Sequence, residues 1–127
     1  MDDKYMKEII DETIKTMNWA RQAAKTAPER TPLRRKYTKY YKLSRIELAG
    51  LYLMQGRSVN LTGYETHIPL IRESYESYRK LIETNKKLME TTTWPEQVSV
   101  RLKKYRYIRK GLKLLYEKLQ EEEILRS

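Results

Sequence analysis

The sequence predicts an all-α fold, an up-down-up-down antiparallel four-helix bundle in a single domain over residues 1–127. Three observations carry this expectation. Proline and glycine punctuate the chain around Pro28 to Pro32, Gly56 to Pro69 and Pro95. Between those points apolar residues recur at every third or fourth position, the helical period. The intervening segments have nearly equal lengths of about 23–26 residues, or roughly 35–39 Å at 1.5 Å per residue. Helices of matched length with short connections bury their stripes most simply against one another.

The first helix is expected over residues 3–26, with Asp2 or Asp3 as N-cap and Pro28 as its stop. Its stripe is Met6, Ile9, Ile10, Met17, Ala20 and Ala24. The second, over 32–55, opens with Thr31 as N-cap and Pro32 at the first helical position, where a missing N–H costs nothing. Leu33, Tyr37, Tyr41, Ser44, Leu48 and Leu51 form its stripe. The third spans 68–90 with Ile71, Tyr75, Tyr78, Ile82 and Met89 inward, and Asn85 falls within that stripe as a buried amide. Glu76 with Lys80 and Glu83 with Lys87 lace its outer face. Thr93-Trp94-Pro95-Glu96 reads as a capping box opening the fourth helix, over 94–119, with a short C-terminal tail after it. Val98, Leu102, Tyr105, Ile108, Leu112, Leu115 and Leu119 make its stripe. The connection from Arg57 to His67 is the one long link, and no pattern in it supports a strand pair.

Composition narrows the chemistry. There is no cysteine, which removes disulfides and thiolate chemistry, and the single histidine, His67, argues against a metal site or a histidine relay. His67 reads as a cap or loop residue. Arg57 precedes it across a glycine, which does not fit the arginine–histidine spacing of helical ribonucleases. No glycine-rich phosphate loop follows a strand, so neither a catalytic residue nor a cofactor is expected, and the protein reads as a non-enzyme. Met1 leads into Asp2, Asp3 and Lys4, and no apolar run reaches the ~18 residues of a membrane span, so a cytoplasmic protein without membrane association is expected. Phenylalanine is absent while tyrosine occurs 11 times, which suits partly wet interfaces and groove walls.

The positive charge is unevenly placed. Between Arg21 and Arg45 stand nine Lys or Arg and one acid, Glu29; between Arg101 and Lys113 stand seven and no acid. Those two stretches exceed the net charge of +10, leaving the remainder acidic. With alternating helix directions, the second and fourth helices start at the end where the first finishes. Arg30, Arg34, Arg35, Lys39 and Lys42 would then meet Arg101, Lys103, Lys104, Arg106 and Lys110 on one pole, the footprint of a protein that neutralises phosphates. Trp19, Tyr37, Tyr40, Trp94 and Tyr107 fall in the same region and suit stacking on unpaired bases. RNA or DNA is the expected partner.

A second apolar set points to self-association. Val100, Tyr107 and Leu114 recur every seven residues opposite the core stripe of the fourth helix, and Ile46 and Leu53 occupy an outward arc of the second. These five are the expected oligomer interface.

Several local segments carry a family resemblance across about Met6 to Leu119. They are Pro28-Glu29-Arg30, Leu33-Arg34-Arg35, Leu70-Ile71-Arg72, Tyr78-Arg79-Lys80-Leu81 and Ile108-Arg109-Lys110-Gly111-Leu112. With them the chain resembles the accessory variability determinant proteins of diversity-generating retroelements. Those are similar in turn to the bundle proteins encoded in ribosomal RNA intervening sequences. The family segment has a tryptophan after its arginine and glycine, whereas Leu115 or Tyr116 stands near that place here. The resemblance implies a basic, ring-forming homo-oligomer, typically a pentamer, that binds a reverse transcriptase and its template and supports mutagenic copying. Two other classes fit the same residues: a phage- or plasmid-borne DNA-binding regulator, and a structural adaptor for an acidic protein.

Overall fold

The computed structural model describes residues 3–126, with side chains from Lys4 to Glu123. It is all-helical: α1 (Asp3–Thr26), α2 (Pro32–Met54), a 3-10 turn (Tyr64–His67), α3 (Ile68–Met89) and α4 (Pro95–Arg126), with no strand among the described residues. None of these helices is long and apolar enough to cross a membrane.

Local chemistry sets the boundaries. Thr31 caps α2 in extended conformation, its Oγ1 accepting the Arg34 N–H at 3.2 Å while Pro32 fills the first turn. Asp2, one of the two N-caps expected for α1, lies outside the described residues. Arg30 in the α1–α2 turn takes φ 58°, a left-handed conformation that only the tightness of that turn imposes. The link after Met54 forms no strand pair: Gly63 at φ 89° feeds the 3-10 turn, and buried Tyr64 anchors it to the core. At its other end α4 outruns the expected stop near Leu119 and continues to Arg126, giving 32 residues against 22–24 for the others. Nothing after Gly111 breaks it, since the Glu121 to Glu123 run consists of good helix formers. Lys118 and Glu121 also pair there at 3.5 Å.

Packing departs from four equivalent neighbours. α2 lies between α1 and α4, α3 packs along α4, and α3 touches α2 only lightly. The seam between α2 and α4 closes at Gly50 and Gly111, which meet backbone to backbone: a Cβ on Gly111 would sit 2.7 Å from the Gly50 carbonyl carbon. Around that crossing Ile46, Leu51, Leu112 and Leu115 are fully buried. Each such side chain contributes roughly 1.5–3 kcal/mol of transfer free energy. Farther along, Ile82, Val98 and Leu102 form a second cluster between α3 and α4, with Tyr105 packed against it. Asn85 is buried as expected, its Nδ2 donating to Leu81 O at 2.7 Å, but its Oδ1 has no partner.

The seam corrects part of the expected oligomer interface. Ile46 is wholly buried and Leu53 packs against the same core, because α2 is covered on both flanks rather than one. Tyr107 lies beside Tyr5 of α1 with ring centroids 5.7 Å apart, and Leu114 is half-buried. Val100 alone of the five is widely exposed, at 57%.

Gly111→Ala is the direct test of the seam. The added methyl meets the backbone of Gly50, which cannot rotate away, so destabilisation of about 1–3 kcal/mol is expected. Urea unfolding followed by circular dichroism measures it, and an unchanged midpoint would contradict the close crossing.

Candidate nucleic-acid interface

The structure divides the expected cations between two clefts that share no lining residue. The larger, about 650 Å³, opens between the first half of α2 and the start of α3. Arg30, Arg34, Arg35, Lys39 and Lys42 line it from the α1–α2 turn and α2, while His67, Leu70 and Glu73 face them. α2 presents this row because positions 35, 38, 39 and 42 share one helical face. Lys39 pairs with Glu73 at 3.0 Å, and Arg34 reaches Glu29 at 3.9 Å and the Ala27 carbonyl. Among the described residues no ion pair engages Arg30, Arg35 or Lys42. Five cations thus face one lining carboxylate, Glu73.

His67 belongs to this cleft, a role that sequence reasoning did not assign. It precedes α3 without its side chain accepting a capping hydrogen bond. Burial is the first cause of its lowered pKa, followed by the fields of Lys42 and Arg45, with Glu65 opposing. The imidazole is therefore neutral at pH 7 and takes up a proton only on acidification. The signal for its placement was the long link itself, which carries Thr66 and His67 back beside α2.

A second cleft, about 470 Å³, lies along α4 against α3. Lys103, Arg106 and Lys110 line it as expected cations, joined by Arg109 and Lys113, with Tyr75 and Tyr107 as its rings. Arg109 stacks on Tyr75 with its guanidinium 4.4 Å from the ring centroid, and Lys103 lies 4.1 Å from the Tyr5 centroid. Arg109 and Lys113 were absent from the expected set, although they continue the acid-free run that marks the others.

Two expected members fall elsewhere. Lys104 pairs with Glu12 of α1 beside a cavity of about 370 Å³ that also holds Glu47 and Tyr78. There Tyr78 donates to Glu47 at 2.6 Å, and burial pushes the Glu47 carboxyl up, opposed by the Tyr78 hydrogen bond and the Lys104 charge. Lys104 is therefore engaged by an ion pair to α1 at the surface. Arg101 is exposed and lines neither basic cleft. The expected single pole fails for a geometric reason. The opening turns of α4 lie against the early part of α1, where Tyr5 donates to the Val100 carbonyl at 2.9 Å, and not beside the α1–α2 turn.

The aromatic side chains separate likewise. Trp19, Tyr37 and Tyr40 form a chain of edge-to-face contacts, with centroids 5.4 and 6.4 Å apart. Trp19 remains 54% exposed beside them, and Trp94 is 66% exposed before α4.

Searches against known proteins match this chain to no family model, no curated protein and no solved structure.

The lone histidine makes the larger cleft easy to probe. In an NMR titration His67 is expected to lose its proton below the ordinary histidine value of about 6.5. Lys42→Ala should raise the midpoint by removing a nearby positive field, while leaving it depressed because burial remains. A wild-type midpoint at or above the ordinary value would contradict this placement.

Proposed function

We propose that the chain is a non-enzymatic, nucleic-acid-binding accessory protein that works as an oligomer. The observation that carries the reading is the α2–α3 cleft, where five cations face a single carboxylate and three of them lack an ion pair. Cations arranged this way are costly without a counter-charge, since like charges along one helix face destabilise it. A phosphodiester backbone supplies that charge, and counterion release then drives association. The open shape of the cleft suits a polymer that passes through.

In this proposal α1 with α2, and α3 with α4, form two antiparallel hairpins. Supporting it are the pairs Trp19 with Tyr37 across α1 and α2, and Tyr78 with Tyr105 and Tyr75 with Arg109 across α3 and α4. Trp19 falls late in α1 and Tyr37 early in α2, while Tyr75, which precedes Tyr78 in α3, meets Arg109, which follows Tyr105 in α4. The resemblance to accessory variability determinant proteins supplies the rest: a reverse transcriptase as protein partner, its template as the nucleic acid, and a ring of subunits. Val100 is the exposed apolar side chain best suited to an intersubunit contact on α4.

Engagement of about five phosphates predicts a log–log salt slope near −3.5 for single strands and −4.5 for duplex. Arg35→Glu with Lys42→Glu should weaken binding tenfold or more, at unchanged helicity, whereas Lys7→Glu with Lys118→Glu should not. Fluorescence anisotropy across a salt series decides this: a flat response, or equal loss in both variants, removes the cleft from the argument. Assembly is tested separately by light scattering, where Val100→Asp is expected to lower the mass towards that of a monomer; an unaltered mass would exclude Val100 from the interface.

A further inference from the structure

The α4 cleft resembles the α2–α3 cleft in charge but occupies a different side of α3. At 3.6 residues per turn, Leu70 and Glu73, which line the larger cleft, lie roughly 120–180° around α3 from Tyr75 and Ile82, which line the smaller. Helix α3 therefore stands between the two clefts as a wall. The α4 cleft is also the more one-sided electrostatically. Lys103, Arg106, Arg109, Lys110 and Lys113 line it with no carboxylate in the wall, and no described acid forms an ion pair with any of them. Glu76, whose charge interacts with Arg109, is held instead by Arg79 in an ion pair along α3. The Arg109 Nε is buried and has no hydrogen-bond partner.

We propose that the α4 cleft is a second nucleic-acid site, independent of the first, so that one chain holds two strand segments on opposite sides of α3. The inference rests on reading the α2–α3 cleft as a polyanion site and adds a count of sites to it. Two polyanions can share the chain without prohibitive repulsion. A helix is about 10–12 Å across with its side chains, comparable to the ~8 Å screening length at physiological ionic strength. Five cations on each side also neutralise most of a short segment's charge. A chain that presents two strands this way would bring separate segments, such as a template and its copy, to within a helix width of each other.

The test is a stoichiometric titration of the full chain with a fluorescent oligothymidylate of about eight nucleotides, a length within the span of known single-strand sites. Protein is held far above the dissociation constant at low salt, and the break point gives oligomers bound per chain. Because the count is per chain, self-association does not alter it. Wild type is expected to break at two. Arg106→Glu with Lys110→Glu, and separately Arg35→Glu with Lys42→Glu, are each expected to break at one with helicity preserved. Lys7→Glu with Lys118→Glu should remain at two. A wild-type break at one, or loss of all binding in either cleft variant, would overturn the second site and leave one continuous surface. No binding by the wild-type chain would instead overturn the nucleic-acid reading on which this proposal stands.

Discussion

The close approach of Gly50 to Gly111 is the constraint on which the rest of the arrangement depends. Two helices that meet backbone to backbone cannot both carry side chains at the crossing, so hydrogen is the only substituent the space admits. Glycine inside a helix costs about 1 kcal/mol relative to alanine. That cost is offset by the burial that the crossing permits, with Ile46, Leu51, Leu112 and Leu115 packed around it. Once α4 is seated against α2, α1 covers the opposite flank of α2, and α3 is left to pack mainly on α4. The gap between α2 and α3 is the larger basic cleft.

Tyrosine and charge divide the surface between them. Several rings serve as platforms for cations: Arg57 on Tyr52, Arg72 on Tyr116, Arg109 on Tyr75 and Lys103 on Tyr5. Such contacts fix the direction of a long basic side chain without neutralising it. Elsewhere cations are consumed by carboxylates, as with Lys104 on Glu12 and Arg79 between Glu76 and Glu83. Cations without a carboxylate partner line both clefts, Arg30, Arg35 and Lys42 in one and Lys103, Arg106, Arg109, Lys110 and Lys113 in the other. In the α4 cleft ring contacts take the place of ion pairs, whereas in the α2–α3 cleft Lys39 and Arg34 are paired with carboxylates and the other three cations are not.

Periodicity made most of the core legible. The stripe of α4 from Val98 to Leu119 is buried, with only Tyr105 partly exposed, and the early stripe of α1 matches it. α2 was harder to read, because burial on both flanks makes Ile46 and Leu53 look like an outward patch when only one covered face is assumed. Leu33, in the first turn of α2, is 47% exposed although it falls on the expected stripe. In the candidate site, Arg30 to Lys42 and Lys103 to Lys110 were visible as charge runs. His67 and Lys113 were not, since a histidine in a loop and one more lysine in a basic run have no local feature that assigns them to a cleft.

By itself the sequence determined which segments are helical, where they start, which stripe α4 buries and which stretches carry unbalanced positive charge. Those are local properties, set by neighbours within a turn or two of the chain. Tertiary structure alone decided that the cations separate into two clefts, that Lys104 pairs with Glu12 of α1, and that a loop histidine joins the α2 row. The physical reason is that helix-to-helix placement follows from how closely two backbones approach. Two distant glycines set that distance, and no pattern within either helix records that they meet.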